Sequence, residues 1–288
     1  MNKLALLAFA ILLFLSSLLW YLANGSLNEY LKSQVLLQSH YYSGQKTQLL
    51  SADFSNNTGI THFTDLSIAN IDGLTQPQLI KVDNISVHLA ELATSQFDAP
   101  SVAKKTTTLV HVKQLRFNKL HAWSEVTKTG QTNLEVLYKK IEIQLATDYP
   151  ALYPQLSAEL YAKMYPERSE KVALENIDSR PKTPKIETNK AIIASKEAKQ
   201  KKRLLGKAQT RVSVRSVLIE ELTLTMIKDN KVLTKRFDNI ELGRLGDENG
   251  LDSNQLGGEL LRRLLGELIR IEKDNSMASL ANELEQQE

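Results

Sequence analysis

Cysteine is absent from the 288 residues. That excludes disulfides, thiolate metal sites and cysteine nucleophiles, and it leaves the redox compartment open. Charge of one sign is scarce as well. Thirty-six Lys and Arg against 33 Asp and Glu leave a net charge of +3, too little to draw the chain to nucleic acid. No G-x-S-x-G, P-loop or dinucleotide fingerprint occurs. The five histidines (His40, His62, His88, His111 and His121) show no i,i+4 pair and no neighbouring carboxylate pattern. Neither a catalytic residue, a metal site nor a cofactor is therefore expected. Gly257-Gly258 precedes an apolar helix without any other phosphate-binding feature.

Long apolar runs are missing too, with one exception. Leu4–Leu22, "LALLAFAILLFLSSLLWYL", carries no charge over 19 residues. As a helix it spans about 28 Å, close to the hydrocarbon thickness of a bilayer. Trp20 and Tyr21 stand where an interfacial aromatic belt belongs. Lys3 precedes the run, and no Lys or Arg follows until Lys32. The positive-inside rule then puts the N-terminus in the cytoplasm and the remainder across the membrane. Residues 1–25 are thus expected to be a single-pass signal-anchor. A cleaved signal peptide ending near Ala23–Gly25 is the alternative.

Residues 26–48 follow as an amphipathic connecting helix, with Leu27, Tyr30, Leu31 and Val35 on one face and a Ser26–Glu29 capping box. From Leu49 the apolar period changes to two, and β-branched residues become common. Residues 49–149 and 209–251 are read as two parts of one β-sheet domain. The parity slips at Asp83-Asn84, where a bulge would return the apolar side chains to one face. Three strand–turn–strand units can be aligned. "FTDLSIANI", "VKQLRFNKL" and "IEELTLTMI" supply first strands; "VDNISVHL", "YKKIEIQL" and "FDNIELGRL" supply second strands. The first and third share Asp-Asn-Ile at Asp83–Ile85 and Asp238–Ile240. Repeats of this kind predict a sheet whose units complete each other's core. Residues 150–208 break the pattern as a helical, linker-like basic insertion containing Lys196, Lys199, Lys201, Lys202, Arg203 and Lys207. Residues 252–288 read as an apolar-striped helix with an acidic tail.

These features resemble the AsmA family of bacterial envelope proteins, and more distantly the chorein-type lipid-transfer proteins with repeated β-grooves. The resemblance is carried by the N-terminal apolar segment and by Leu66, Ile68, Asn70 and Gly73 in an L-x-I-x-N-x-x-G strand end. It is carried further by the Asn133-Leu134 pair and by the Leu245–Leu251 loop before the last helix. It covers most of the chain outside 150–208. It implies a mainly β fold with flanking helices and a curved antiparallel sheet forming a β-groove. It also implies an inner-membrane anchor, a soluble part in the periplasm, and a non-enzymatic role in phospholipid traffic or outer-membrane homeostasis.

The apolar face expected from the alternation comprises Leu66, Ile68, Val82, Ile85, Val87, Leu89, Leu115, Phe117, Ile141, Ile143, Leu222, Leu224, Ile240 and Leu242. It serves equally as a lipid-facing groove or as a core closed by the last helix. In the second case the chain is an anchored scaffold for another envelope protein. The basic residues Lys196–Lys207 suit an anionic membrane surface or a solvated charge run.

Overall fold

The computed structural model describes residues 27–55, 57–90, 108–157, 159, 210–228 and 231–285. The expected signal-anchor and Lys196–Lys207 lie outside them. Among the described residues no helix is long and apolar enough to cross a membrane.

Helix α1 (27–43) is followed by β1 (Thr47–Gln48), β2 (Ser51–Ser55), β3 (Ile60–Ala69), β4 (Gln78–Leu89) and β5 (Thr108–Glu125). Then come α2 (Asn133–Asp148), β6 (Thr210–Lys228), β7 (Lys231–Leu245), β8 (Leu251–Asp252) and α3 (Ser253–Glu285). The strands form one mixed sheet in the order β1-β3-β4-β5-β6-β7. β2 pairs with β3 beside β1, and β8 pairs with the start of β6. Helices α2 and α3 lie together on one face, and the other face carries charged side chains such as Lys81, Arg116 and Arg236.

Two expectations are corrected. The sheet is not wholly antiparallel, because β5 and β6 run parallel from Thr108↔Thr210 to Glu125↔Ile227. Parallel neighbours need a crossover, and the chain between them supplies one that includes α2. The second correction explains the first. Tyr138–Leu145 is the middle of α2, not the second strand of a middle repeat. Its period-two alternation at Ile141, Ile143 and Leu145 is incidental. The stripe that counts is Leu134, Leu137, Ile141 and Leu145, each at most 1% exposed, spaced for one helical face. Ile143 points outward and is 45% exposed. Thr132 starts the helix with a capping box: its hydroxyl accepts from Glu135 N, and its own N–H donates to the Glu135 carboxylate.

The parity slip belongs to the whole sheet. Phe63 and Leu66, Val82 and Ile85, Phe117 and Leu120, and Ile219 and Leu222 are buried pairs three residues apart. Register aligns them in two rows: Phe63–Ile85–Phe117–Ile219–Ile240 and Leu66–Val82–Leu120–Leu222–Phe237. Between the rows each strand spends two residues on the outer face. On β3, β5 and β7 the step is made by a left-handed residue: Asp65 (φ 51°), Lys119 (φ 50°) and Asn239 (φ 56°). The outward residues form ion pairs, Lys81 with Asp65 and Asp83, Arg116 with Glu220, and Arg236 with Glu221. The recurring element is therefore Phe-x-x-Leu/Ile at 63–66, 117–120 and 237–240. In the middle copy Leu120, five residues beyond Leu115, is the residue equivalent to Leu66.

Candidate functional site

Helix α1 crosses the inner face with one stripe turned towards the sheet: Leu27, Leu31, Gln34, Val35, Gln38 and Ser39. Its two halves are held differently. In the C-terminal half, Gln38 donates to Ser253 O and accepts from Gly257 N, while the Tyr42 hydroxyl donates to Asn254 O. The first turn of α3 thus obtains polar partners from α1. The helices meet closely because Gly258 has no side chain, a Cβ there lying 2.7 Å from the Tyr42 ring. In the N-terminal half, Asn28 Oδ1 accepts from Phe54 N at 3.0 Å, and Lys32 Nζ donates to Leu50 O at 2.8 Å.

Between α1, α3 and the sheet lies a cavity of about 470 Å³. This is within the range of about 300–1,000 Å³ of small-molecule pockets. Thr61, Phe63, Leu66, Ile68, Ile80, Val82, Ile85, Val87, Leu89, Val112, Leu115, Phe117 and Val214 come from the long strands, with Phe54 from β2. Helix α3 adds Leu256, Gly257, Leu260, Leu261 and Leu264. No lining residue is charged; the polar side chains are Gln34, Gln38, Ser39 and Thr61. Leu27, Leu31, Val35, Phe54, Val87, Leu89, Leu256 and Leu260 are the half-buried apolar lining residues, and of these Phe54, Val87 and Leu89 stand at the strand ends, where we place the mouth.

Apart from Ile143, which is exposed on α2, the expected apolar face therefore divides into three. Leu66, Ile68, Val82, Ile85, Val87, Leu89, Leu115 and Phe117 line the cavity. Leu222, Leu224 and Ile141 are 0% exposed in a closed core with α2 and α3. Ile240 and Leu242 are half-buried on β7 against that core. Alternation could not reveal the contributions of α1 and α3 to the cavity. The helical stripes of 27–39 and 256–264 are visible in the sequence, but what they face is not.

The titratable groups near the helices hold the scaffold together. Glu259, its side chain 8% exposed, accepts from Arg262, Arg263 and Tyr153. Burial alone would raise its pKa, but the hydrogen bonds and charges of Arg262, with Tyr153 and Arg263, hold it below the usual range. Glu272 moves the other way. Burial and the nearby Glu135 raise its pKa despite a 2.6 Å bond from the Ser124 hydroxyl. The buried Asn133 amide donates to Asn70 Oδ1 and Trp123 O and accepts from Glu125 N and Leu134 N. Two of the motif asparagines, distant in sequence, are thus direct partners. A second groove, about 520 Å³ between β7 and α3, is rimmed by Glu267 and Asp274, both bonded to Arg270. His62 and His111 are exposed. His88 has its pKa lowered by burial and by Arg116, His62 and Lys113. Among the described residues no cluster of His, Asp and Glu could hold a metal ion.

The strand ends define where the cavity opens. Thr108 pairs with Thr210, His88 with Ile60, and Ser55 with Ile60. All of these lie at one end of the sheet, with Thr108 and Thr210 four residues beyond the Leu89–Val112–Val214 row. Asn28 is bonded at the same end, to the strand partner of Thr61. So residue 27, the segment 91–107 and the segment that enters β6 at Thr210 all join the described fold around the mouth. Compared with protein-family models and with curated protein sequences, the chain matches none.

Proposed function

We propose that the chain is a membrane-anchored, AsmA-like envelope protein that holds the hydrocarbon of a lipid in the cavity under α1, without catalysing a reaction. In this reading Leu4–Leu22 is the inner-membrane anchor, and the described domain stands in the periplasm. The observation that carries the reading is the position of the mouth. Leu27 follows Leu22 by five residues, a reach of at most about 18 Å. The mouth therefore sits near the bilayer surface whenever Leu4–Leu22 spans it. The basic run Lys196–Lys207 precedes β6 in the sequence, and β6 starts at the same end of the sheet; in this reading the run meets anionic headgroups at about 1 kcal/mol per residue. The lining adds a second argument. The concave surface is apolar over three elements, with no charged side chain and only Gln34, Gln38, Ser39 and Thr61 polar. An apolar surface of this extent is suited to an apolar occupant.

The test is native mass spectrometry of the full chain extracted from membranes. The wild type is expected to carry lipid. Val87→Glu, at the half-buried mouth, is expected to lose it with an unchanged circular dichroism spectrum. Leu224→Glu puts an unpaired charge in the closed core and is expected to unfold the domain. A lipid-free wild type that retains one envelope protein instead would replace this reading with an anchored scaffold.

A further inference from the structure

We infer that the cavity is a blind pocket for one acyl chain, open only at the membrane-facing end, and that the headgroup stays outside. The inference rests on the lipid-holding reading above and names the cargo's form.

Cross-strand register carries it. In the row nearest the mouth, Leu89, Val112 and Val214 all line the cavity. One row deeper, Val87 and Leu115 still line it, but their neighbour Val217 does not. Next come Ile85 and Phe117 without Ile219, and then Val82 without Leu120. In the last row Ile68 and Ile80 remain, and Ala122 and Leu224 are excluded. With Thr61, Phe63 and Leu66 lining it on the β3 side of the middle rows, the cavity thus slants across the sheet, from β4, β5 and β6 at the mouth to β3 and β4 at its far end. Its slanting wall is α3, whose Leu261 and Leu264 line it. Beyond that wall the inner face is solid: Leu120, Leu222 and Leu224 are 0% exposed against α2 and α3. Cargo cannot pass along this sheet from end to end.

Size and polarity set the rest. The far end of the cavity is two neighbouring strands wide, Ile68 on β3 beside Ile80 on β4, and strands lie about 4.8 Å apart, which leaves room for one extended acyl chain rather than two. No lining side chain is charged, and Gln38 is already engaged with Ser253 and Gly257. A phosphate or carboxylate would find no counter-charge inside, so it stays at the mouth. The molecule is then a single-chain holder or extractor at the bilayer surface, not a conduit.

The experiment uses the full chain in proteoliposomes and 16-carbon monoacyl lysophosphatidylcholine bearing a diazirine. Photolysis with the diazirine at the chain end is expected to label Ile68 or Ile80. With the diazirine beside the carbonyl it is expected to label Leu27 or Phe54. Intact mass is expected to show one adduct per chain, lost in Val87→Glu. Adducts on Leu120, Leu222 or Leu224, or two adducts per chain, would overturn the blind single-chain pocket while leaving lipid binding in place. No adduct on any cavity peptide would overturn the lipid-holding reading and this inference with it.

Discussion

Removing the Asn133 amide tests whether two distant motifs are joined by one buried side chain. Asn133 is 0% exposed and makes four hydrogen bonds of 2.9–3.0 Å. Asn133→Ala leaves Trp123 O, Glu125 N and Leu134 N without this partner, at a site that is 0% exposed in the wild type. Each buried group left unpaired costs about 1–3 kcal/mol. The three together predict a loss of at least about 3 kcal/mol, a large share of the about 5–15 kcal/mol a domain has to lose. Asn70 Oδ1 is less exposed to the change because it also accepts from Ile71 N. Asn133→Asp separates hydrogen bonding from volume. It keeps the shape but turns an acceptor towards Asn70 Oδ1 and Trp123 O, so it should be at least as damaging as alanine. The assay is urea unfolding of the full chain in mild detergent, followed by far-ultraviolet circular dichroism, with a double-mutant cycle against Asn70→Ala. Coupling of about 0.5–3 kcal/mol is expected for groups in direct contact. A loss below about 1 kcal/mol for both Asn133 variants, or coupling near zero, would refute the argument.

Gly258→Ala puts a methyl carbon 2.7 Å from the Tyr42 ring, which is 1% exposed and has no room to turn. Overpacking of this kind costs about 1–3 kcal/mol, and differential scanning calorimetry should show a lowered melting temperature together with loss of co-purified lipid. Glu259 has a folded pKa below its unfolded value. Its contribution is present above the unfolded pKa and is lost as pH falls through the folded one. Acid melting curves of the wild type should therefore steepen below about pH 4.3, and Glu259→Gln should lower stability at pH 7 while flattening that slope. Glu272 is raised instead, so its contribution is present at low pH and lost as pH rises. Glu272→Gln should raise the melting midpoint at pH 8 and leave it unchanged at pH 4; equal shifts at both would sink the assignment.

What the sequence made legible is the set of strands whose apolar faces obey one period, and what it hid lies where two periods overlap. Ile141, Ile143 and Leu145 satisfy a strand's period of two, while Leu134, Leu137, Ile141 and Leu145 satisfy a helix. Thr132 and Glu135 had the spacing of a capping box and would have decided between them. Read as a strand, 138–145 makes the sheet wholly antiparallel and aligns Leu66 with Leu115 rather than Leu120; as a helix it does neither. The Asp-Asn-Ile match was sounder, since Ile85 and Ile240 do fall in one row of the sheet. The parity slip at Asp83-Asn84 was visible too, but its extent was not. A step shared by five strands has no signature in any single one, and its left-handed residues are an Asp, a Lys and an Asn rather than glycines.

The choice between an open groove and a closed core was unreadable for a different reason. Both need apolar side chains on one face, and the identity of the covering element is set by tertiary contacts that leave few local marks. One mark exists at Gly257-Gly258. In a helix interior, glycine costs about 1 kcal/mol relative to alanine. Two in succession there are a penalty that packing has to offset. Here a side chain at either position would collide with α1, Gly257 with Gln38 and Gly258 with Tyr42. The glycine pair therefore fixes where α1 crosses α3, and that crossing is the hinge of the division. On one side α3 descends onto Leu222 and Leu224 and closes the core. On the other, α1 is held away from β3 and β4 by the width of the cavity. Alanine at both positions would push α1 outward at the crossing. If the cavity's function depends on that spacing, lipid should be lost with the double variant even where α2 and α3 keep their packing, a state in which the Glu259–Arg262 pair and its acid transition survive. Loss of that acid transition together with the lipid would instead mean that the two halves of the inner face are a single cooperative core.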